Sequence, residues 1–93
     1  MEKKRYHVVV EGRVQGVFFR ACTQEEALRL NLTGWVRNRP EGTVEALIEG
    51  ESEQVEKMVQ WFYRGSPGSL VSQVKLTEEE HLGENTGFEI HYY

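Results

Sequence analysis

The sequence predicts an α+β fold, a ferredoxin-like α/β sandwich of order βαββαβ plus a short C-terminal strand, with two helices on one face of a mainly antiparallel sheet. Three observations carry this expectation. β-Branched residues are dense along Arg5–Glu11. Two further β-rich runs, Leu32–Asn38 and Thr43–Glu49, flank the turn sequence Arg39-Pro40-Glu41-Gly42. Val55, Met58, Val59 and Phe62 recur at i, i+3, i+4 and i+7, the spacing of one helical face.

In the first strand Tyr6, Val8 and Val10 alternate with His7, Val9 and Glu11. Valines on both faces predict an interior strand, covered on one side by helices. Gly12 to Arg20 reads as a loop, and Ala21 to Asn31 as a helix that begins near Arg20 and presents Thr23, Ala27, Leu28 and Leu30 on one face. Proline second and glycine fourth in Arg39–Gly42 suit a type I turn, hence a hairpin. Ser52 is expected to cap the second helix, and Gly65 and Pro67 to stop it. Leu70–Thr77 reads as the fourth strand, Glu78–Gly87 as an acidic loop, and Phe88, Ile90 and Tyr92 as alternate positions of the last strand. No repeat, linker or low-complexity tract divides the chain, so residues 1–93 are expected to form one domain.

Composition narrows the function. One cysteine, Cys22, excludes an intramolecular disulfide and a cysteine metal cluster, and suits a reducing compartment. No apolar run matches a signal peptide or the ~20 residues of a membrane span, so a cytoplasmic protein without a membrane partner is expected. Fifteen Asp and Glu against eleven Lys and Arg give a net charge of −4, which argues against a nucleic-acid partner. A small anion is another matter, because Arg37 and Arg39, joined by Arg13 and Arg20, are expected to form a local basic cluster able to hold one small phosphate.

The informative segment is Gly12-Arg13-Val14-Gln15-Gly16-Val17-Phe18-Phe19-Arg20, which joins the end of the first strand to the first helix. Successive N–H groups in such a turn can form an anion-binding nest, and the helix N-terminus adds unpaired N–H groups and partial positive charge. Arg20 can present a planar fork to two phosphate oxygens. An ordinary β–α turn with a solvated arginine fits the same residues. Neither GxxxxGK[ST] nor GxGxxG is present, so a nucleotide fold is disfavoured. A right-handed strand–helix–strand unit would bring Asn38, at the end of the second strand, beside this loop and Arg20. Its carboxamide can hold a water for attack, or simply serve the turn that follows.

Together the segments VEGRVQGVFFR (Val10–Arg20) and GWVRNRPEGTVEALIEG (Gly34–Gly50) resemble the two signatures of the acylphosphatase family, without departure in either. The resemblance implies hydrolysis of small acyl phosphates to carboxylate and inorganic phosphate. It assigns phosphate binding to Arg20, a cradle of backbone amides to Gln15, Gly16, Val17, Phe18 and Phe19, and orientation of the attacking water to Asn38. It implies no metal and no organic cofactor. A carboxylate leaving group is stable as an anion, so an essential general acid is not needed, and phosphoryl transfer becomes mostly positioning and charge stabilisation.

His7, His81 and His91 are too scattered for a metal triad, and Cys22 reads as a packing residue of the first helix. Glu78, Glu79 and Glu80 read as a solvated run. Trp35, Trp61 and Tyr63 are expected to pack in the core or its rim, although an aromatic beside the cleft would suit an acyl group. Of Phe18 and Phe19, one is expected to anchor in the core and the other to wall the site. Two other classes remain: a non-catalytic, phosphate-binding regulatory domain of the same family, and an RNA-binding ferredoxin-like domain, which the acidic balance disfavours. A monomer is the default expectation.

Overall fold

The computed structural model describes residues 2–92. In chain order its elements are β1 (Lys3–Arg13), α1 (Phe19–Arg29), β2 (Thr33–Asn38), β3 (Val44–Glu51), α2 (Ser52–Arg64), β4 (Leu70–Glu79) and β5 (Phe88–His91). They form one five-stranded sheet in the order β4-β1-β3-β2-β5. Neighbours are antiparallel except β2 and β5, which run parallel. Two helices pack on this sheet, as the sequence predicts, and β1 is interior. Among the described residues no helix is long and apolar enough to cross a membrane.

The period-two pattern of the strands builds the core. Val8 and Val10 of β1, Val36 of β2, and Val44, Ala46 and Ile48 of β3 are all inaccessible and meet Val55, Met58 and Phe62 of α2. From α1 come Phe19, Thr23 and Ala27. Leu28, expected on that buried face, is instead 54% exposed, because it follows Thr23 by five residues and so lies about 140° round the helix from it. Its end is a Schellman closure. Asn31 takes φ 60°, its N–H bonds to the Leu28 carbonyl, and the Leu32 N–H bonds to the Ala27 carbonyl.

The expected Ser52 cap is not observed. Glu51 is the N-cap residue of α2 and no side chain caps the helix. Strand β3 runs straight into α2, so Ser52 is already helical, and its N–H donates to the Glu2 carbonyl instead (2.9 Å). The turn after β2 closes as expected, with the Gly42 N–H on the Arg39 carbonyl and the Arg39 N–H on the Thr43 carbonyl.

The acidic loop is not simply solvated. β4 extends through Glu78 and Glu79, and Glu79 bonds Arg5 at 2.9 Å, as does Glu84. Arg5 and Glu49 are both buried, 3.8 Å apart, and a Glu49 oxygen accepts the N–H groups of Leu82 and Gly83. This cluster pins the segment that leads into β5.

The register between β1 and β4 shifts at Glu11/Gly12, a bulge from which the loop to α1 departs. Gly12 adopts φ 128°, and a Cβ there would lie 2.1 Å from the Leu70 carbonyl oxygen. Gly12→Ala is therefore expected to lose at least about 2 kcal/mol in urea unfolding, since the substituent meets backbone that cannot move aside. A loss below 0.5 kcal/mol, on the order of a routine surface change, would contradict that reading.

Candidate active site

The register places the two signature segments together. Val44 of β3 pairs with Val10 on one side and Asn38 on the other. Asn38 thus stands level with Val10, just ahead of the bulge, at the same end of the sheet as the start of α1. The parallel pairing of β2 with β5 sets Arg37 opposite His91 and brings the chain after β5 to this end as well.

Between these elements lies a cleft of about 330 Å³, to which Gly16, Phe18, Arg20, Asn38, Ile90 and Tyr92 contribute. Arg20 and Asn38, predicted as the catalytic pair, line it together. Arg20 donates one long bond to the His91 carbonyl (3.4 Å), and its guanidinium sits 4.8 Å from the centre of the Tyr92 ring. Among the described residues no carboxylate pairs with it. The Asn38 Oδ1 is buried and has no hydrogen-bond partner among the described residues. Burying an acceptor unpaired costs about 1–3 kcal/mol, a cost that a hydrogen bond from a molecule in the cleft would relieve.

The loop keeps its donors unspent. Among the described residues the N–H groups of Gln15 to Phe19 give no backbone hydrogen bond within the fold. Gly16 takes φ 75°, a turn conformation that suits glycine. Phe18, the N-cap residue of α1, has φ 57° and ψ 26° and makes no side-chain cap, and the first turn of the helix carries no acidic residue. An L-residue in this left-handed region costs about 1 kcal/mol. The consequence is that Phe18 turns out, 83% exposed, while Phe19 turns in, 2% exposed and 5.4 Å from the Trp61 ring. The anchor is therefore Phe19, and both residues line the cleft.

Gln15 and Val17 do not line the cleft. The Gln15 amide instead donates to the carbonyls of Arg39 (2.8 Å) and Thr43 (2.9 Å), tying the loop to the hairpin that carries Asn38. Val17 packs partly against the core, and its carbonyl accepts the Ser66 hydroxyl (3.2 Å). Gln15→Ala is expected to cost about 1–2 kcal/mol of stability through the two lost bonds. It should also lower kcat more than it raises KM. Stability and kinetics both unchanged would show that the tie is idle.

The basic cluster anticipated in the sequence does not assemble. Arg37 bonds Glu45 at 2.6 Å and Arg39 bonds Glu41 at 2.8 Å, and neither they nor Arg13 line the cleft. Burial works to raise the Glu45 carboxyl, yet hydrogen bonds from His7 and Arg37 outweigh it and hold the group below its usual value. Trp35 stacks on His91 at 5.5 Å and lines a separate depression with Arg37 and Glu45. Trp61 is core and Tyr63 is exposed. Cys22 is half-buried against the core, and no group of three metal-binding side chains occurs among the described residues. The sequence reading missed Ile90 and Tyr92 as site residues, because only the long-range β2–β5 pairing brings them here.

A sequence model of the acylphosphatase family matches residues 6–90. The chain belongs to the acylphosphatase family. It is 50% identical to an acylphosphatase of Pelotomaculum thermopropionicum over 90 residues, which are 97% of this chain and 98% of that one. An acylphosphatase of Syntrophobacter fumaroxidans is 52% identical over 97% of this chain and 93% of its own. The crystal structure of acylphosphatase from Bacillus subtilis superposes with a TM-score of 0.92 at 42% identity, covering 96% of this chain and 99% of that one. Kinship with the acylphosphatases thus spans both signature segments and the whole sheet.

Proposed function

We propose that this chain hydrolyses small acyl phosphates at the Arg20–Asn38 cleft, releasing a carboxylate and inorganic phosphate. Arg20 and the amides of the Gln15–Phe19 loop hold the phosphoryl oxygens, and the Asn38 Oδ1 accepts a hydrogen bond from the attacking water. The observation that carries this reading is that Asn38, whose buried Oδ1 has no partner among the described residues, lines the same cleft as Arg20, which has no carboxylate partner among the described residues. Water oxygen bonds to phosphorus as the bond from phosphorus to the acyl oxygen breaks. The electron pair leaves on the carboxylate, and a phosphate oxygen takes the water proton. Because that leaving group needs no protonation, a site without an ionisable acid suffices.

The same chemistry supports independence from metals and organic cofactors, since Arg20 and the amides supply the positive field. Cytoplasmic location, a monomeric state and the lack of nucleic-acid or membrane partners belong to this proposal; the lone half-buried cysteine suits a reducing compartment, and the net charge of −4 argues against nucleic acid. Residues 1–93 act as one domain in this reading. A non-catalytic anion-binding domain would have no use for the unpaired Asn38 oxygen. Phosphate release from benzoyl phosphate in excess EDTA tests the proposal. Turnover insensitive to the chelator is expected. Phosphate binding without turnover would favour the non-catalytic domain, and turnover abolished by EDTA would place a metal in the reaction.

A further inference from the structure

Phe18 stands where phenylalanine is a poor choice for the stability of the fold. It occupies the left-handed region, which glycine or asparagine enters more easily; it sits at a helix N-cap without supplying a cap bond; and its ring is 83% exposed. Strain, a missing cap and a solvated aromatic ring all favour another residue for stability. Strained positions of this kind concentrate at functional sites, and this one lines the cleft.

The rest of the lining is of one character. Ile90 and Tyr92 come from the opposite end of the chain, and Ala21 from the first turn of α1. Among the described residues no carboxylate and no hydroxyl other than that of Tyr92 lines the cleft, and its one formal charge is Arg20. With Arg20 and the amides engaged by phosphate and Asn38 by water, the acyl group is left to meet apolar and aromatic surface. Where a polar or anionic acyl group touches that surface, it loses water and, with Arg20 taken by phosphate, gains no replacement partner beyond the Tyr92 hydroxyl. At about 330 Å³ the cleft lies at the small end of the usual ~300–1,000 Å³ for small-molecule sites, which suits a phosphate with a group of about one ring.

We infer that the cleft selects acyl phosphates of apolar acids, aromatic ones above all, and that Phe18 is the residue that sets this selectivity. The inference rests on the acylphosphatase reading of the site. Its test is kcat/KM for benzoyl, acetyl and succinyl phosphate in the wild type, Phe18→Asn and Phe18→Leu, with competitive inhibition by inorganic phosphate measured alongside. The wild type is expected to prefer benzoyl over acetyl phosphate at least tenfold, and succinyl phosphate to be poorest. In Phe18→Asn that preference should fall at least fivefold, through a raised KM for benzoyl phosphate, while Phe18→Leu retains part of it. The Tm of Phe18→Asn should rise, because asparagine suits both the cap and the backbone. That rise shows that the variant folds. Equal use of the three substrates by the wild type, or equal loss of benzoyl and acetyl turnover in Phe18→Asn, would overturn the inference while leaving the acylphosphatase reading intact. Hydrolysis of none of the three by the wild type would overturn both.

Discussion

Replacing Arg20 by alanine is expected to lower kcat/KM for an acyl phosphate at least about a hundredfold, while the protein stays as stable as before. The two halves of this expectation have separate causes. In the transition state the guanidinium would face the phosphoryl oxygens, where one charged donor is worth about 3 kcal/mol or more in a partly water-excluded site. Among the described residues, Arg20 in the resting fold makes one long hydrogen bond to the His91 carbonyl and one contact with the Tyr92 ring. A cation in the first turn of a helix also opposes the helix dipole, at a cost of about 0.3–1 kcal/mol, and alanine is a better helix former. Stability and activity should therefore separate. Inhibition by inorganic phosphate should weaken in parallel with kcat/KM. A variant that keeps its activity, or that loses it only by unfolding, would remove Arg20 from the site.

Asn38→Ala is expected to lower kcat about a hundredfold with little change in phosphate inhibition. The Oδ1 has no partner among the described residues, so its removal relieves a desolvation cost rather than breaking a bond. Unfolding stability should hold or rise. This pattern differs from that of Arg20→Ala in one readout, phosphate affinity, and the pair of variants distinguishes holding the phosphate from positioning the water. Parallel loss of phosphate inhibition in Asn38→Ala would mean that the carboxamide binds the anion.

The strand and helix order was legible because it rests on local patterns. The valine-rich run before Gly12, the turn Arg39–Gly42 and the stripe Val55–Phe62 each declare their element within a few residues. Arg20 and Asn38 were legible through the signature segments, and the register of both strands on Val44 supplies the reason they converge. What escaped depends on long-range partners. Nothing near Tyr92 signals that β5 will run parallel to β2, and so its place beside Arg20 is hidden. Glu79 and Glu84 look solvated until Arg5, from the far end of the chain, is placed beneath them. Likewise the choice between Phe18 and Phe19 turns on one backbone torsion. A left-handed φ at a phenylalanine leaves no mark in the sequence, whereas at Gly12 or Gly16 the glycine itself announces it. The basic cluster failed for a complementary reason, since Glu45 and Glu41 come beside Arg37 and Arg39 and claim them first.

In the proposed reaction, water held by Asn38 attacks phosphorus, not the acyl carbon. Hydrolysis of benzoyl phosphate in ¹⁸O-enriched water with excess EDTA tests it directly, with both products analysed by mass spectrometry. Enzyme-dependent label is expected in inorganic phosphate and none in benzoate. Label in benzoate would put the attack at the carbonyl, and the roles given to Arg20 and Asn38 would fall with it.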